Sequence, residues 1–304
     1  MRYHCLYRRL IEASGISIDI SGKRKDLLIA MFDRLFEANT GEAVIEFNSF
    51  ALGLNLANPS ERLLYYAAGN ILRSYRRSSL YMLLKRLAGS PGLFVDIGAN
   101  LGIYSVLARK LGYETLLFEP EPTHAAFLTR NQAVVGRTIM CALSDHCGTA
   151  DLFVSCSGNP GASSLVKPDR EVSGSGCQQS ICVTLRTFDA MLSELAVDPL
   201  AIRLIKIDVE GNEQYTVLGM REYLAKRSAA PIWCEVRGPE SGRNGNSVAA
   251  VTEVLDPFGY KPYRACGRRL VPYKVGGDPA PQVFDLLYAI PGRHQASLEG
   301  VFDP

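Results

Sequence analysis

The sequence lacks an excess of charge of either sign, because 33 lysines and arginines stand against 31 aspartates and glutamates. A net charge of +2 gives no global field that would attract nucleic acid or an anionic membrane. We therefore expect no nucleic-acid partner, and any recognition of an anionic group must be local.

Long apolar runs are missing as well. The most apolar stretch, LFVDIGANLGIYSVLA at residues 93–108, is interrupted by Asp96 and Asn100. It is also shorter than the roughly 20 apolar residues of a membrane-spanning helix. The first residues, MRYHCLYRRLIEASG, contain no uninterrupted apolar segment of the kind found in secretory signals. We expect a cytoplasmic protein without a transmembrane segment, and the sequence leaves the oligomeric state open.

The eight cysteines form no C-x-x-C pair, which is typical of reduced thiols rather than of a disulfide framework. A zinc site at Cys141, Cys147 and Cys156 would need closely spaced ligands with histidine partners. Only His146 lies among these cysteines. The sequence therefore predicts no metal site of this kind.

From residue 93 onward, short apolar segments alternate with helical patterns. The apolar segments are LFVDIG, TLLFEP, RTIMCALS, RLIKIDVEG, PIWCEV and DLLYAI. Helical patterns follow the first two of them closely, with YSVLARKLG after the first and a single helix, THAAFLTRNQAVV, after the second. Such alternation predicts an α/β fold with a mostly parallel, doubly wound sheet of six or seven strands.

The chain divides into three parts around this sheet. Residues 1–90 are expected to form an N-terminal cap, with a helix over 24–38, a strand pair in EAVIEFNSFALGLNLANP, and helices from residue 58 and over 79–89. Residues 91–292 form the Rossmann-like domain, and residues 293–304 form a C-terminal tail.

An insertion at residues 148–183 interrupts the alternation. It contains two short strands around a Gly/Ser-rich loop. We interpret this segment as a lid over a ligand, since loops beside such a sheet often cover one. A surface insertion without ligand contact is the alternative.

A glycine-rich turn follows the first strand of the domain and precedes a helix. Asp96, Gly98, Asn100 and Gly102 lie in this turn, and Glu119 ends the next strand. Glycines let the main chain approach a ligand, and a carboxylate at the position of Glu119 can bind both hydroxyls of an adenosine ribose. A dinucleotide site would need the G-x-G-x-x-G pattern, which is missing. The pattern favours S-adenosylmethionine over NAD.

The sequence resembles the FkbM-type methyltransferases, which are S-adenosylmethionine-dependent enzymes related to O-methylation of macrolides, glycans and nodulation factors. Five ordered blocks carry the resemblance: VDIGANLGIYS (95–105), LLFEPEPTHAAFLTRN (116–131), CALSD (141–145), GNPGASSL (158–165) and LIKIDVEGNEQYTVLGM (204–220). It implies a class I methyltransferase sheet, an enzyme, and S-adenosylmethionine as cofactor. It leaves the methyl acceptor open, and the first ~60 residues match no block of the family.

The resemblance also implies a set of cofactor-binding residues. Four residues of the glycine turn would line the methionine moiety, Glu119 the ribose, and Ser144 with Asp145 the adenine. The full expected set is Asp96, Gly98, Ala99, Asn100, Gly102, Tyr104, Ser105, Glu119, Pro120, Ser144 and Asp145.

Three acidic residues at the carboxyl ends of later strands are candidates for catalysis. Asp208 and Glu210 lie in IKIDVEGNE, and Glu235 ends IWCEV. Alternation along a strand predicts that Asp208 and Glu210 face the same cleft, where Asp208 or Glu235 would accept the proton of a hydroxyl acceptor. The alternative for Glu210 is that it caps the following helix. A Mg²⁺ ion at these three acids is neither supported nor excluded by the sequence.

Two basic clusters, around residues 73–86 and 261–274, are more typical of solvated surfaces than of sites.

We expect an O-methyltransferase acting on a hydroxyl of a carbohydrate or another small molecule, most of all a sugar in a glycan or glycolipid precursor. Three alternatives remain at this point: a macrolide-like hydroxyl as acceptor, an NAD-dependent oxidoreductase, and a non-catalytic cofactor-binding module.

Overall fold

A computed structural model gives the positions of most of the chain. The described residues are 41–47, 50–58, 60–62, 64–65, 74–89, 92–154, 163–167, 179–226, 228–238, 247–266, 269–278, 282–294 and 298. The helix expected over residues 24–38 lies outside them. In the described part of the chain, no helix has both the length and the apolar character needed to cross a membrane.

Strands and helices alternate through the central part of the chain. The strands are β1 (Glu42–Phe47), β2 (Phe50–Asn55), β3 (Leu93–Ile97), β4 (Glu114–Phe118), β5 (Arg137–Ile139), β6 (Ala142–Leu143), β7 (Gly148–Val154), β8 (Gln179–Arg186), β9 (Ile202–Ile207), β10 (Ile232–Arg237), β11 (Lys261–Cys266), β12 (Arg269–Pro272) and β13 (Val283–Ala289). The helices are α1 (Ser79–Leu87), α2 (Ile103–Lys110), α3 (Pro122–Arg130), α4 (Gln132–Val135), α5 (Phe188–Glu194), α6 (Glu213–Leu218), α7 (Arg221–Leu224) and α8 (Val248–Leu255), with short 3₁₀ turns at Pro199–Ala201 and Asp256–Phe258.

The main sheet has the order β12-β11-β13-β10-β9-β3-β4-β5. Strands β10, β9, β3, β4 and β5 are parallel, whereas β13, β11 and β12 pair in antiparallel fashion at one end. The chain moves from β3 to β4 and β5 on one side, and then returns to place β9 on the other side of β3. This reversal of direction is the point where ligands bind in doubly wound folds. The expected Rossmann-like α/β fold is confirmed.

The sheet is buried on both faces, because successive residues of a strand point to opposite sides. Val95 and Ile97 of β3 pack in one core cluster with side chains of α5, α6 and α7. Phe94, between them in sequence, packs in a second cluster with side chains of α1 and α2. The central strands are therefore nearly continuous apolar runs, as the sequence pattern suggested.

The number of strands differs from the expectation of six or seven. The main sheet has eight strands among the described residues, because β11 and β12 form an additional hairpin. Pro262 and Arg264 interrupt the apolar pattern of β11, so this strand gave no clear signal. Tyr263 and Leu270 nevertheless bury their side chains in the core.

Two further elements are divided where the sequence suggested one. The segment RTIMCALS forms β5 in the main sheet and β6 in a separate sheet of order β6-β8-β7. This small sheet contains both strands expected in the 148–183 insertion. The helix expected over residues 123–135 is interrupted at Asn131, which ends α3 and precedes α4.

Asn131 holds the N-terminal hairpin against the main domain. The side chain is 5% exposed, its Oδ1 accepts a hydrogen bond from Gly53 N at 2.7 Å, and its Nδ2 donates to Gly53 O at 2.9 Å and Phe127 O at 3.0 Å. Around this contact, Ile45 and Leu52 of the hairpin pack in one cluster with Phe127 of α3. The strand pair expected in the cap is confirmed, and this amide fixes its position.

We predict that Asn131→Ala lowers the free energy of unfolding by ~2 to 4 kcal/mol, because it leaves the N–H and C=O of Gly53 without their partners. Denaturant unfolding measures this loss. Gln132→Ala is the matched control, since Gln132 is the exposed neighbour in sequence and its truncation should change stability little. Equal losses for the two variants would contradict the prediction.

Candidate active site

A cleft opens at the carboxyl ends of the central strands, beside the position where the chain reverses direction between β3 and β9. Its volume is about 250 Å³. Its lining residues come from the ends of β3, β4, β9 and β10, from the insertion, and from the N-terminal region. They are Tyr75, Ile97, Gly98, Asn100, Phe118, Glu119, Pro120, His124, Cys141, Ala142, Leu143, Leu152, Ser163, Leu165, Asp208, Val209, Glu210, Asn212 and Glu235.

The glycine turn forms the floor of this cleft. Gly98 and Ala99 donate their main-chain N–H groups to Phe118 O at 3.0 and 3.2 Å, so the turn follows the end of β4. Gly98 has φ +73°, and a Cβ at this position would lie 1.8 Å from the carbonyl oxygen of Asp208. Only glycine fits both this conformation and this close approach. The turn is therefore locked against the loop that contains Asp208.

Glu119 occupies the position expected of a ribose ligand, at the end of β4. Its Oε2 accepts a hydrogen bond from Asn100 N at 2.7 Å, and its Oε1 accepts one from Glu121 N at 3.0 Å. Burial raises the pKa of Glu119 to about 7, against the opposing effect of these two main-chain donors. The carboxylate is thus oriented in the cleft before any ligand arrives, with lone pairs still available.

The helix after β4 supports this arrangement. Glu121 caps α3 by accepting hydrogen bonds from Thr123 N and His124 N. His124 is buried, with its Nδ1 at 3.4 Å from Glu121 Oε2 and its Nε2 at 3.4 Å from Ser60 Oγ. Burial lowers the pKa of His124, so the side chain packs between the cap and the cleft as a neutral group.

Asp208, Glu210 and Glu235 come together on the other side of the cleft. Their carboxylate oxygens lie within 4.8 Å of one another. Burial raises the pKa of Glu235 to about 9, and the charges of Asp208 and Glu210 act in the same direction. Glu235 therefore retains a proton at neutral pH, which relieves the repulsion among the three acids.

Glu210 has an unusual main-chain conformation, with φ +54°. Its side chain pairs with Arg237, whose NH2 lies 2.9 Å from Glu210 Oε2. Glu210 does not cap helix α6: Asn212 occupies the N-cap position, and no side chain caps the helix. In the loop before the helix, Glu213 Oε1 accepts hydrogen bonds from Val209 N at 3.0 Å and Gly211 N at 3.2 Å. Glu210 is thus left to face the cleft.

These three carboxylates are, within the described part of the chain, the one group of acidic, histidine or cysteine side chains compact enough to hold a cation. Carboxylate oxygens are ligands that Mg²⁺ accepts. The zinc alternative has no such support among the described residues: Cys141 is buried, Cys147 is exposed, and Cys156 lies outside them.

Asp96 lies below the cleft rather than in its wall. The side chain is 1% exposed, and its Oδ2 accepts a hydrogen bond from Ser105 Oγ at 2.7 Å. Its Oδ1 is 3.2 Å from Lys206 Nζ. Tyr104 also lies outside the lining and contacts Tyr75, with ring centroids 4.7 Å apart.

Ser144 and Asp145, the pair expected at the adenine, do not lie in the wall of the cleft. Ser144 is buried and lies near Asn212, while Asp145 points outward and pairs with the exposed His146 at 2.7 Å. Neither Ser144 nor Asp145 is among the residues that line the cleft. At this end of the cleft the lining residues are instead Cys141, Ala142 and Leu143.

The predicted site residues thus separate into two groups. Those that line the cleft are Gly98, Asn100, Glu119, Pro120, Asp208, Glu210 and Glu235. Those that do not are Asp96, Ala99, Gly102, Tyr104, Ser105, Ser144 and Asp145. Among the second group, Gly102 begins helix α2 with φ +65°, which makes it a structural part of the same turn.

Two walls of the cleft contain none of the predicted site residues. Tyr75 comes from the N-terminal region, whereas Leu152, Ser163 and Leu165 come from the insertion. Ser164 Oγ donates a hydrogen bond to Glu210 O at 2.6 Å, which fixes this part of the insertion against the acidic loop. Ser163 and Leu165 of the insertion thus line the cleft, the lid interpretation stays a prediction, and the remainder of that loop lies outside the described residues.

Comparison with known proteins gives one extended match. A family model described as the methyltransferase FkbM domain matches residues 96–270, which is more than half of the chain and includes both sides of the cleft. No curated protein matches the chain.

Several solved structures have a similar course of the chain. A TehB-like SAM-dependent methyltransferase from Corynebacterium glutamicum is 13% identical, with a TM-score of 0.39, over 77% of this chain and 100% of that chain. A precorrin-6y C5,15-methyltransferase from Geobacter metallireducens is 12% identical, with a TM-score of 0.36, over 69% of this chain and 86% of that chain. A methyltransferase from Pyrococcus furiosus is 12% identical, with a TM-score of 0.36, over 88% of this chain and 98% of that chain. These TM-scores are too low to carry an argument about substrate.

We predict that Glu119→Ala weakens the binding of S-adenosylhomocysteine by about 5- to 150-fold, because losing a buried acceptor leaves two ribose hydroxyls unpaired at a cost of about 1 to 3 kcal/mol. Isothermal titration calorimetry measures this change. Glu114→Ala is the control, since Glu114 is an exposed acid at the opposite end of the same strand. Unchanged affinity in Glu119→Ala would refute the ribose assignment.

Proposed function

Because this chain belongs to the FkbM family of methyltransferases, we propose that it is an O-methyltransferase whose acceptor is a hydroxyl of a sugar in a glycan or glycolipid precursor. Its cofactor is S-adenosylmethionine, as family membership implies. An NAD-dependent oxidoreductase and a non-catalytic module, which the sequence left open, are therefore set aside.

The observation that carries the proposal is the position of three carboxylates in the same cleft as Glu119. A hydroxyl loses its proton when it is methylated, so an oxygen nucleophile needs a nearby group that accepts this proton. Asp208, Glu210 and Glu235 are such groups, within 4.8 Å of one another. Because Glu119 lies at the end of β4 and Asp208 follows β9, a donor bound to Glu119 would extend across β3 towards Asp208.

In the proposed reaction, the acceptor oxygen attacks the methyl carbon in line with the carbon–sulfur bond. The oxygen–carbon bond forms, the bond to sulfur breaks, and the sulfonium becomes a neutral thioether. The cleft contributes chiefly by holding the two reactants in this geometry, which removes much of the entropic cost of the reaction. Loss of charge at sulfur favours a cleft that is partly protected from water.

Asp208 is the group that we assign to accept the proton. Glu235, with a pKa of about 9, already holds a proton at neutral pH and is better suited to donate a hydrogen bond to the acceptor. Glu210 pairs with Arg237 at 2.9 Å, whereas Asp208 lies at a longer distance of 3.3 Å from Lys206. The side chain of Asp208 is 35% exposed, so it is accessible to an incoming hydroxyl.

Two features of the cleft support a sugar acceptor. Carboxylates accept hydrogen bonds from neighbouring hydroxyl groups, and the ring of Tyr75 offers a surface on which a sugar can pack. The cationic groups of Lys206 and Arg237 are both paired with carboxylates. They therefore do not favour the binding of a phosphate group near the three acids. The phosphates of a nucleotide-sugar or lipid-linked sugar would then lie outside the cleft.

Other properties of the chain are consistent with this proposal. A net charge of +2 does not favour nucleic acid as a partner. The cysteines at 141, 147, 182, 234 and 266 are free, which is typical of a reducing compartment such as the cytoplasm. Leu152 and Leu165 give one wall an apolar character, which would also accept a macrolide-like hydroxyl.

We expect that a methyl-labelled donor transfers its label to a sugar when the enzyme is incubated with a panel of acceptors. The panel contains nucleotide-sugars, lipid-linked oligosaccharides, a macrolide, simple phenols and tRNA. Label in the macrolide alone would select that alternative. Label only in phenols or tRNA would refute the sugar proposal, while the enzyme would remain a methyltransferase.

With an acceptor from this panel, Asp208→Asn should lower kcat by about 10²- to 10⁴-fold, the usual contribution of general base assistance. Glu235→Gln should lower it less than tenfold, because the amide resembles the protonated acid that Glu235 is expected to be. Both variants should bind S-adenosylhomocysteine within about threefold of the unmodified protein. The reverse order of the two losses would assign the base to Glu235.

A further inference from the structure

A buried lysine that the sequence motifs did not identify lies between the two halves of the site. Lys206 is 5% exposed, on β9, and pairs in register with Asp96 on the neighbouring strand β3. Its Nζ lies 3.2 Å from Asp96 Oδ1 and 3.3 Å from Asp208 Oδ2. One ammonium group is thus shared by a buried acid below the cleft and an accessible acid within it.

The same ammonium group has a third contact, which reaches the cofactor side. Lys206 Nζ donates a hydrogen bond to Gly98 O at 2.9 Å. Gly98 belongs to the glycine turn, and its Cα lies so close to Asp208 O that a Cβ would collide with it. Lys206 therefore connects two parts of the site. One is the glycine turn, which is expected to lie under the methyl donor, and the other is the Asp208 carboxylate, which is expected to act on the acceptor.

A lysine at this depth needs compensation, because burial of an ammonium ion is costly unless carboxylates pair with it. Burial alone would lower the pKa of Lys206, but the charges of Asp96 and Asp208 raise it above the usual lysine value. The side chain is therefore charged; it donates a hydrogen bond to Gly98 O and forms ion pairs with Asp96 and Asp208. A methionine of similar volume would fill the space and provide none of these contacts.

We propose that Lys206 is a positioning residue, which holds the glycine turn and the Asp208 carboxylate in a fixed relation so that donor and acceptor meet at the correct distance. In this arrangement Asp96 anchors Lys206 and does not itself contact the cofactor. The inference rests on the proposed function for the role of Asp208. Lys206 does not line the cleft; it acts on donor and acceptor through Gly98 and Asp208.

The test uses cofactor binding, which requires no acceptor. Lys206→Met should weaken the binding of S-adenosylhomocysteine at least tenfold, measured by calorimetry, and should lower the melting temperature because Asp96 loses its counter-charge. The double variant Asp96→Asn/Lys206→Met removes both buried charges. It should regain much of the lost thermal stability and still bind at least tenfold more weakly, since Gly98 O and Asp208 remain without the ammonium group.

Recovery of wild-type affinity in the double variant would overturn the proposal, because Lys206 would then serve only to neutralise Asp96. Thr115→Val is the matched control: Thr115 is also buried, donates its hydroxyl to Val135 O, and does not line the cleft. Its loss should lower the melting temperature and leave the affinity unchanged.

A measurement on the unmodified protein decides the matter if the variants fail to fold. Selective ¹⁵N-lysine labelling should give an Nζ signal protected from exchange with water, and S-adenosylhomocysteine should shift it. A protected signal that the ligand leaves in place would overturn the proposal. Failure of the sugar panel would alter none of these binding results, so the two proposals can be refuted separately.

Discussion

The contact between Gly98 and the main chain of Asp208 is the constraint on which the site depends. It joins the end of β3 to the residue that follows β9, at the reversal of the sheet, and no side chain fits between them. Because the two loops touch, the glycine turn and the acidic loop line a single cleft. A larger residue at position 98 would separate them and disturb both ends at once.

The role of each acidic residue in and around the cleft depends on the groups that it contacts. Glu213 is buried and bonded to main-chain N–H groups, so it shapes the loop. Asp96 is enclosed by Ser105 and Lys206. Asp208, Glu210 and Glu235 remain in contact with the cleft, where burial, together with the charges of the other two acids, leaves a proton on Glu235. Acids of similar sequence context thus have structural, anchoring and chemical roles.

The central sheet was predictable because β3, β4, β9 and β10 are apolar runs, whose burial on both faces leaves little ambiguity. Strand β11 was not predictable, because Pro262 and Arg264 interrupt its apolar pattern. Its pairing with β13 in the structure identifies it as a strand. Position at a strand end placed Glu119, Asp208 and Glu235 at one edge of the sheet, and all three line the cleft there. Lys206 was overlooked, although it lies two residues before Asp208, because its role arises from neighbours distant in sequence.

The departure of the chain from the main sheet after β5 has a consequence for how such a protein can diversify. Residues 141–143 line the cleft, and β6 forms a separate sheet with the following strands β7 and β8, in which β8 pairs with both of the others. Lengthening or shortening the connection between β7 and β8 would therefore leave the register of β3, β4 and β9 unchanged. In the proposed function, the wall formed by the insertion would face the acceptor, so its shape can vary from one relative to another while the floor beneath the donor stays the same.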